Sequence, residues 1–330
     1  MTDTEKFKPD SNLKLMDQVK QVLRYHHYSY RTEKIYCDWI IRFLKYFKLQ
    51  IHPKNMGKNE IEQFLSFLAT EQKVSASTQK QATSALLFLF KEVVQKDIED
   101  KIACVKARQR NPLPVVMSQE EVQALLSHLN GNNLILAKFL YGSGLRLMEA
   151  IRLRIKDIDF NNNQILIYDG KRNKNRITIF PKNLQRDISI QIAKTKQIHT
   201  KDIDEGFGSV WLPDALERKY PNASKDIQWQ YLFPANKRSI DPRSNILRRH
   251  HITESGLQKA IKIASKKANI NKRISCHTFR HCFATHLLEN GANIRLVQKL
   301  MGHYDIKTTE IYLHVMETKL NVTSPLDYIM

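Results

Sequence analysis

Ser275-Cys-His-Thr-Phe-Arg-His-Cys-Phe-Ala-Thr-His-Leu-Leu288, followed by Gly302-His303 and then Tyr312, is the stretch on which the reading of this chain turns. It sets imidazoles, a guanidinium and a phenol in a short run of helical character, a group suited to an anionic substrate attacked by a tyrosine. His277 and Arg280 stand three apart and so share a helix face. Gly291 and Gly302 punctuate the run, predicting a helix-loop-helix in which His303 opens a second helix that carries Tyr312. H-x-x-R alone is common. Joined to a Gly-His and a Tyr nine residues beyond that His, it is far more specific.

Composition agrees with an anionic partner. The 330 residues carry 53 Lys and Arg against 33 Asp and Glu, a formal charge of +20, which favours a polyanion such as nucleic acid over an acidic small molecule. With 42% hydrophobic residues the chain can fill two cores. Cys37, Cys104, Cys276 and Cys282 lack C-x-x-C spacing and read as reduced, mostly buried thiols rather than zinc ligands. The start, Met-Thr-Asp-Thr-Glu-Lys, has no apolar core, and no apolar run approaches membrane-spanning length. The expectation is a cytoplasmic protein, associated with the nucleoid, with no membrane partner.

Upstream, apolar residues recur at helical spacing through Leu15, Val19, Val22 and Leu23 and through Trp39, Ile40, Phe43 and Phe47. Further runs cover about 58–70 and 76–96, and no strand signal precedes residue 100. Residues 1–100 are therefore predicted to form an all-helical domain. Lys20, Arg24, Arg31, Lys34, Arg42, Lys45 and Lys48 interleave with Tyr25, Tyr28, Tyr30 and Tyr36, which as a set suits a phosphate-gripping surface. Residues 101–117 read as a linker: Lys101, Lys106, Arg108 and Arg110 run into Pro112 and Pro114, a basic strap stiffened against helix. Ser118-Gln-Glu-Glu121 is a capping box that opens the second domain, 118–330.

Within that domain, Gly142-Ser-Gly-Leu-Arg146 ends one helix and starts another, presenting Arg146 at a helix N-terminus where an anion is favoured. Glu149 lies three residues on and can orient that arginine. Strands at 164–168 and 177–180 flank a basic hairpin turn containing Lys171 and Lys174, either of which could reach a phosphodiester. Residues 199–233 break the pattern. They hold Trp211 and Trp229 among prolines and read as an aromatic-rich insertion, followed by Arg248-Arg249-His250-His251.

Gly-Ser-Gly-Leu-Arg146, Gly-Lys171 between two strands, His277-Thr-Phe-Arg280, Met-Gly-His303 and Tyr312 resemble, in order and spacing, the tyrosine recombinases, or phage integrase family. Ala215 to Ala223, Trp229-Gln-Tyr-Leu-Phe-Pro234 and Arg248-Arg-His-His251 are similar to the extra segment of the integron integrases. Met301 replaces the usual Leu, and Gly-Lys-Arg replaces the usual Gly-Lys-Gly turn.

The resemblance implies a mainly α fold with a small antiparallel β-sheet in the C-terminal domain, a two-domain clamp on DNA. It implies that Arg146 and Arg280 grip the non-bridging phosphate oxygens, His303 adds a hydrogen bond, and Tyr312 attacks phosphorus to leave a 3′-phosphotyrosyl link. Lys171 would protonate the departing 5′-oxygen and His277 would help move the tyrosine proton. No metal, cofactor or ATP is called for, because the covalent link conserves the bond energy. It further implies a homotetramer on DNA that integrates and excises gene cassettes. Such an enzyme would bind duplex sites and folded single-stranded ones, whose extrahelical bases Trp229, His250 and His251 would contact, with Lys174, Arg248, Arg249, Lys106, Arg108 and Arg110 on the backbone. The alternatives are a type IB topoisomerase-like enzyme and a DNA-binding factor of the same fold without catalysis.

Overall fold

Serine hydroxyls set the starts of two of the N-terminal helices. The computed structural model describes residues 7–99, 101–108, 114–168 and 175–317. In it α1 spans Leu15–Tyr25, α2 Tyr30–Tyr46, α3 Lys58–Thr70 and α4 Ala76–Phe88. Ser29 accepts from the Thr32 amide at 3.1 Å and Ser75 from the Thr78 amide at 3.2 Å, each satisfying a donor the helix cannot. The apolar stripes then meet: Val19, Val22 and Leu23, Ile40 and Phe43, Ile61 and Phe64, and Ala85 and Leu86 share one core. Phe43 packs edge-on to Phe64 and Phe90. The backbone of α4 loosens into a π-helical turn at Leu89–Val93.

The chain divides into two units, 1–112 and 113–330. The division falls within the predicted strap, 101–117. Gln79, nearly buried on α4, donates to the Val105 carbonyl at 2.7 Å and accepts from the Ala107 amide at 2.9 Å, tying this ribbon to the first unit. Lys106 and Arg108 are left exposed, while Met117 is fully buried in the second unit's core. Arg110 lies outside the described residues. On the first unit's surface Arg24 is held by the buried Glu33 and Lys20 by Asp17, and Tyr25 stacks on Phe7, so part of the predicted cationic set is engaged within the fold.

In the second unit α5 (Gln119–Ser127) starts at the predicted capping box, with Ser118 and Glu121 exchanging bonds of 2.8 and 3.2 Å. Then follow α6 (Gly131–Gly142) and α7 (Leu147–Arg152). A three-stranded antiparallel sheet comes next: β1 (Ile158–Asp159), β2 (Gln164–Ile167) and β3 (Arg176–Ile179). Its register sets Ile165 opposite Thr178, and Ile165 and Ile167 face the core. The two-residue β1 was too short to show in the sequence. Lys171 and Lys174, in the β2–β3 connection, lie outside the described residues.

Residues 199–204, expected to begin the insertion, instead complete α8 (Gln185–Asp204). The irregular region beyond holds α9 (Asp214–Lys219) and a small hairpin of β4 (Ser239–Ile240) and β5 (Leu247–Arg248). It has its own core of Val210, Leu212, Ala223 and Tyr231, with Trp229 packed against it. α10 (Glu254–Lys267), α11 (Cys276–Glu289), α12 (Ile294–Met301) and α13 (Lys307–Glu317) complete the unit, with α11 packed on α6 and α13. No described helix is long and apolar enough to cross a membrane.

Candidate active site

The α11 sequence distributes its polar groups to different neighbours. His286 is buried; its Nε2 donates to the Met117 carbonyl at 2.9 Å, so Nδ1 accepts from the Tyr141 hydroxyl, also at 2.9 Å. That imidazole is a structural tie. Arg280, only 4% exposed, points its guanidinium to the carbonyls of Gly144 and Met301. Burial, helped by the Arg146 charge, lowers it to about 9.

Arg146 caps α7 as predicted. Its backbone amide donates to Glu149 Oε2 at 2.7 Å, its Nη1 to Glu149 Oε1 at 2.8 Å, and its Nη2 reaches the Gly302 carbonyl at 3.3 Å. The two arginines therefore hold the same turn, Met301-Gly302, and each anchors its fork there. The Glu149 carboxylate offsets part of their charge. Glu149 also receives both terminal nitrogens of Arg176, at 2.8 and 2.6 Å, while Arg176 Nε donates to the Leu300 carbonyl at 3.0 Å. Burial opposes its charge, yet Arg176, then Arg146, holds Glu149 down at about 2.

The Gly302-His303 turn differs from expectation. Gly302 takes a left-handed φ of 63° and closes α12, so His303 follows a helix rather than opening one. A Cβ there would sit 2.6 Å from Arg176 Cδ. His303 Nδ1 bonds Thr309 Oγ1 at 2.9 Å, and burial with the charges of Arg280, Arg146 and Arg176 pushes the imidazole to about 3, leaving it neutral. Tyr312 on α13 is 3% exposed; its ring lies parallel to that of His303, centroids 6.3 Å apart. Burial raises its phenol to about 12 against the opposing pull of Arg280 and Arg146.

Of the six predicted catalytic residues, Arg146, Arg280, His303 and Tyr312 converge, and Lys171 is outside the described residues. His277 is exposed on the first turn of α11, its ring 6.3 Å from that of His281. Three further participants, His281, Arg176 and Thr309, were not expected from the sequence. His281 Nδ1 lies 2.9 Å from Tyr312 Oη. Its position next to Arg280 was the one signal; Arg176 and Thr309 gave none, because their partners are remote or lie beyond a turn.

The predicted base-contacting residues divide. Trp229 is half-buried, its carbonyl held by Arg154, with Lys156 Nζ 4.4 Å over its ring and 4.1 Å over Tyr168. His250 is exposed beside Tyr231. His251, expected with them at the bases, and Arg248 and Arg249, expected on the DNA backbone, are engaged within the fold. His251 is 8% exposed and donates from Nδ1 to the Ile252 carbonyl at 2.6 Å, and burial lowers it to about 4. Arg248 is buried against Glu217 at 3.3 Å, and Arg249 is clamped to the buried Asp202 at 2.5 and 2.7 Å. Both arginines are thus paired with carboxylates of the same unit.

Known proteins resemble the chain throughout. The description "Phage integrase family" matches residues 115–319, and "Phage integrase, N-terminal SAM-like domain" matches 15–100. An integrase/recombinase of Escherichia coli is 41% identical over 327 residues, covering 99% of this chain and 97% of its own. A tyrosine recombinase XerC of Lactobacillus delbrueckii subsp. bulgaricus is 29% identical over 81% of each chain. Among solved structures, the XerH site-specific recombinase bound to its difH substrate before cleavage aligns with a TM-score of 0.59 at 20% identity, over 97% of this chain and 90% of that one. That structural likeness is one of fold.

Proposed function

The chain belongs to the phage integrase family, a tyrosine recombinase, and from that premise we propose that it exchanges DNA strands at specific sites in the manner of an integron integrase, through a 3′-phosphotyrosyl link at Tyr312. The observation that carries the reading is the convergence of Arg146, Arg280 and His303 on one turn, with Tyr312 stacked on His303. Two guanidinium forks and a neutral imidazole form a cationic, hydrogen-bonding cradle for a pentacoordinate phosphorus. Arg146 and Arg280 exchange their carbonyl partners for the non-bridging oxygens, and His303 donates a further bond. Lys171, or Lys174 in the same turn, protonates the 5′-oxygen, and His277 assists the movement of the tyrosine proton. The exposed Lys106 and Arg108 bind backbone phosphate, the two units clamp the duplex, and four protomers assemble on two sites.

The proposed cassette sites include folded single strands whose unpaired bases are read by position. What supports this is the cationic aromatic patch of Trp229, Lys156 and the exposed Tyr168, with His250 nearby on Tyr231. Stacking on such faces contributes about 1–3 kcal/mol per base. Trp229→Ala or His250→Ala is expected to weaken binding and recombination of a hairpin with extrahelical bases at least about tenfold more than of a plain duplex site. Equal losses on both substrates would return these residues to a packing role.

A further inference from the structure

Resting on Tyr312 as the nucleophile, we propose that His281 is the group that takes the phenolic proton of Tyr312 during cleavage and returns it during rejoining. Geometry singles it out. His281 Nδ1 lies 2.9 Å from Tyr312 Oη, within general-base reach, and the two rings are 5.6 Å apart. The other imidazoles are placed differently. His303 has Nδ1 on Thr309, and His286 uses both nitrogens on Met117 and Tyr141. His277 is exposed, with its ring edge-on to His281 at 6.3 Å, while the phenol's hydrogen bond is with His281. The helix explains the division of labour. Arg280 and His281 are adjacent and so point about 100° apart, one to the Gly144 and Met301 carbonyls and the other to α13.

The chemistry requires such a group. A phenol pushed up to about 12 keeps its proton at neutral pH and attacks poorly unless the proton leaves as the bond to phosphorus forms. Burial, then the His277 and Arg280 neighbours, lowers His281 to about 4, so it is neutral and, with its proton on Nε2, offers a lone pair at Nδ1. The negative charge of an arriving phosphate favours the imidazolium that results. In cleavage the bond from Tyr312 Oη to phosphorus forms, the bond from phosphorus to the 5′-oxygen breaks, the phenolic proton passes to His281 Nδ1, and the turn lysine supplies a proton to the 5′-oxygen. Rejoining reverses each transfer, so no proton is consumed.

The test uses the full chain on a nicked site that traps the covalent adduct, with a bypass reaction beside it. His281→Gln, which keeps a hydrogen bond but no base, is expected to slow adduct formation on the order of 100- to 10,000-fold, and added imidazole is expected to recover part of the loss in His281→Ala. The bypass is joining of a 5′-hydroxyl to a strand ending in a 3′-p-nitrophenyl phosphate by Tyr312→Phe protein. Its leaving group departs without a proton, so adding His281→Gln is expected to change that rate by less than about threefold, which also shows that the variant folds. Adduct formation within a few-fold of wild type, or an equal loss in both reactions, overturns the proposal. A wild-type protein that forms no adduct removes the nucleophile reading beneath it, and the proposal with it.

Discussion

Glu149→Gln removes one negative charge from the centre of the site and is expected to weaken the second unit at neutral pH by about 3 kcal/mol. The carboxylate is 11% exposed and Arg176 7% exposed, so solvent screens the pair little. A carboxyl held at about 2 against its ordinary 4.5 stabilises the folded state by about 3 kcal/mol, at about 1.4 kcal/mol for each pH unit between the two values. Breaking a buried pair by removing one partner costs about 3–5 kcal/mol in other proteins, in the same range. The sign follows from the lowered value. Glu149 binds its proton more readily in the unfolded chain, so its contribution is complete above about pH 4.5 and is lost as pH falls toward about 2. Wild type and Glu149→Gln should differ fully at pH 7, by about half as much near pH 3, and hardly at all below pH 2. Urea unfolding of the full chain reads this, followed by Trp211 and Trp229 in a Trp39→Phe background that silences the first unit. A neutral-pH difference below about 1 kcal/mol, or one indifferent to acid, would show that Glu149 is not held ionised by its arginines.

Arg146→Lys should lower strand cleavage by at least about 100-fold with modest effect on DNA affinity, because an ammonium lacks the planar fork that keeps one edge on Glu149 while the other leaves the Gly302 carbonyl for a phosphate oxygen. Single-turnover cleavage measures it, and near-normal turnover would count against the clamp. DNA affinity should fall steeply with salt, and Lys106→Ala with Arg108→Ala should reduce the slope of log K against log salt by up to about 2, as loss of two phosphate contacts requires. An unchanged slope in titrations from low to moderate salt would remove these side chains from the backbone contacts.

What could be read beforehand was mostly local. The bounds of α3, the capping box at Ser118 and Glu121, the placing of Arg146 at a helix start, and the β2–β3 hairpin all follow from side chains within a few residues of one another. Several of the errors come from partners remote in sequence. Arg248 and Arg249 read as a basic surface, yet Asp202 lies 47 positions before Arg249 and draws it inward. The strap looked free because nothing near it announces Gln79, whose one amide holds both Val105 and Ala107. Gly302 was read as punctuation before a helix. The amphipathic run Ile294, Val297 and Met301 precedes it, and a left-handed glycine closes that run instead. His281 was hidden by its neighbour, since the H-x-x-R pattern draws attention to Arg280 and not to the residue after it. Arg176 was one of several basic residues around the hairpin turn until the fold set it against Glu149.

In the proposed reaction Tyr312 becomes linked to DNA. Incubating the full chain with a nicked site, digesting with protease and sequencing the DNA-bound peptide by mass spectrometry locates the link. The expected product is an adduct on Tyr312 through a 3′-phosphate, formed without metal or ATP and absent in Tyr312→Phe, which still binds the site. An adduct on another residue, or one that survives in Tyr312→Phe, would contradict it.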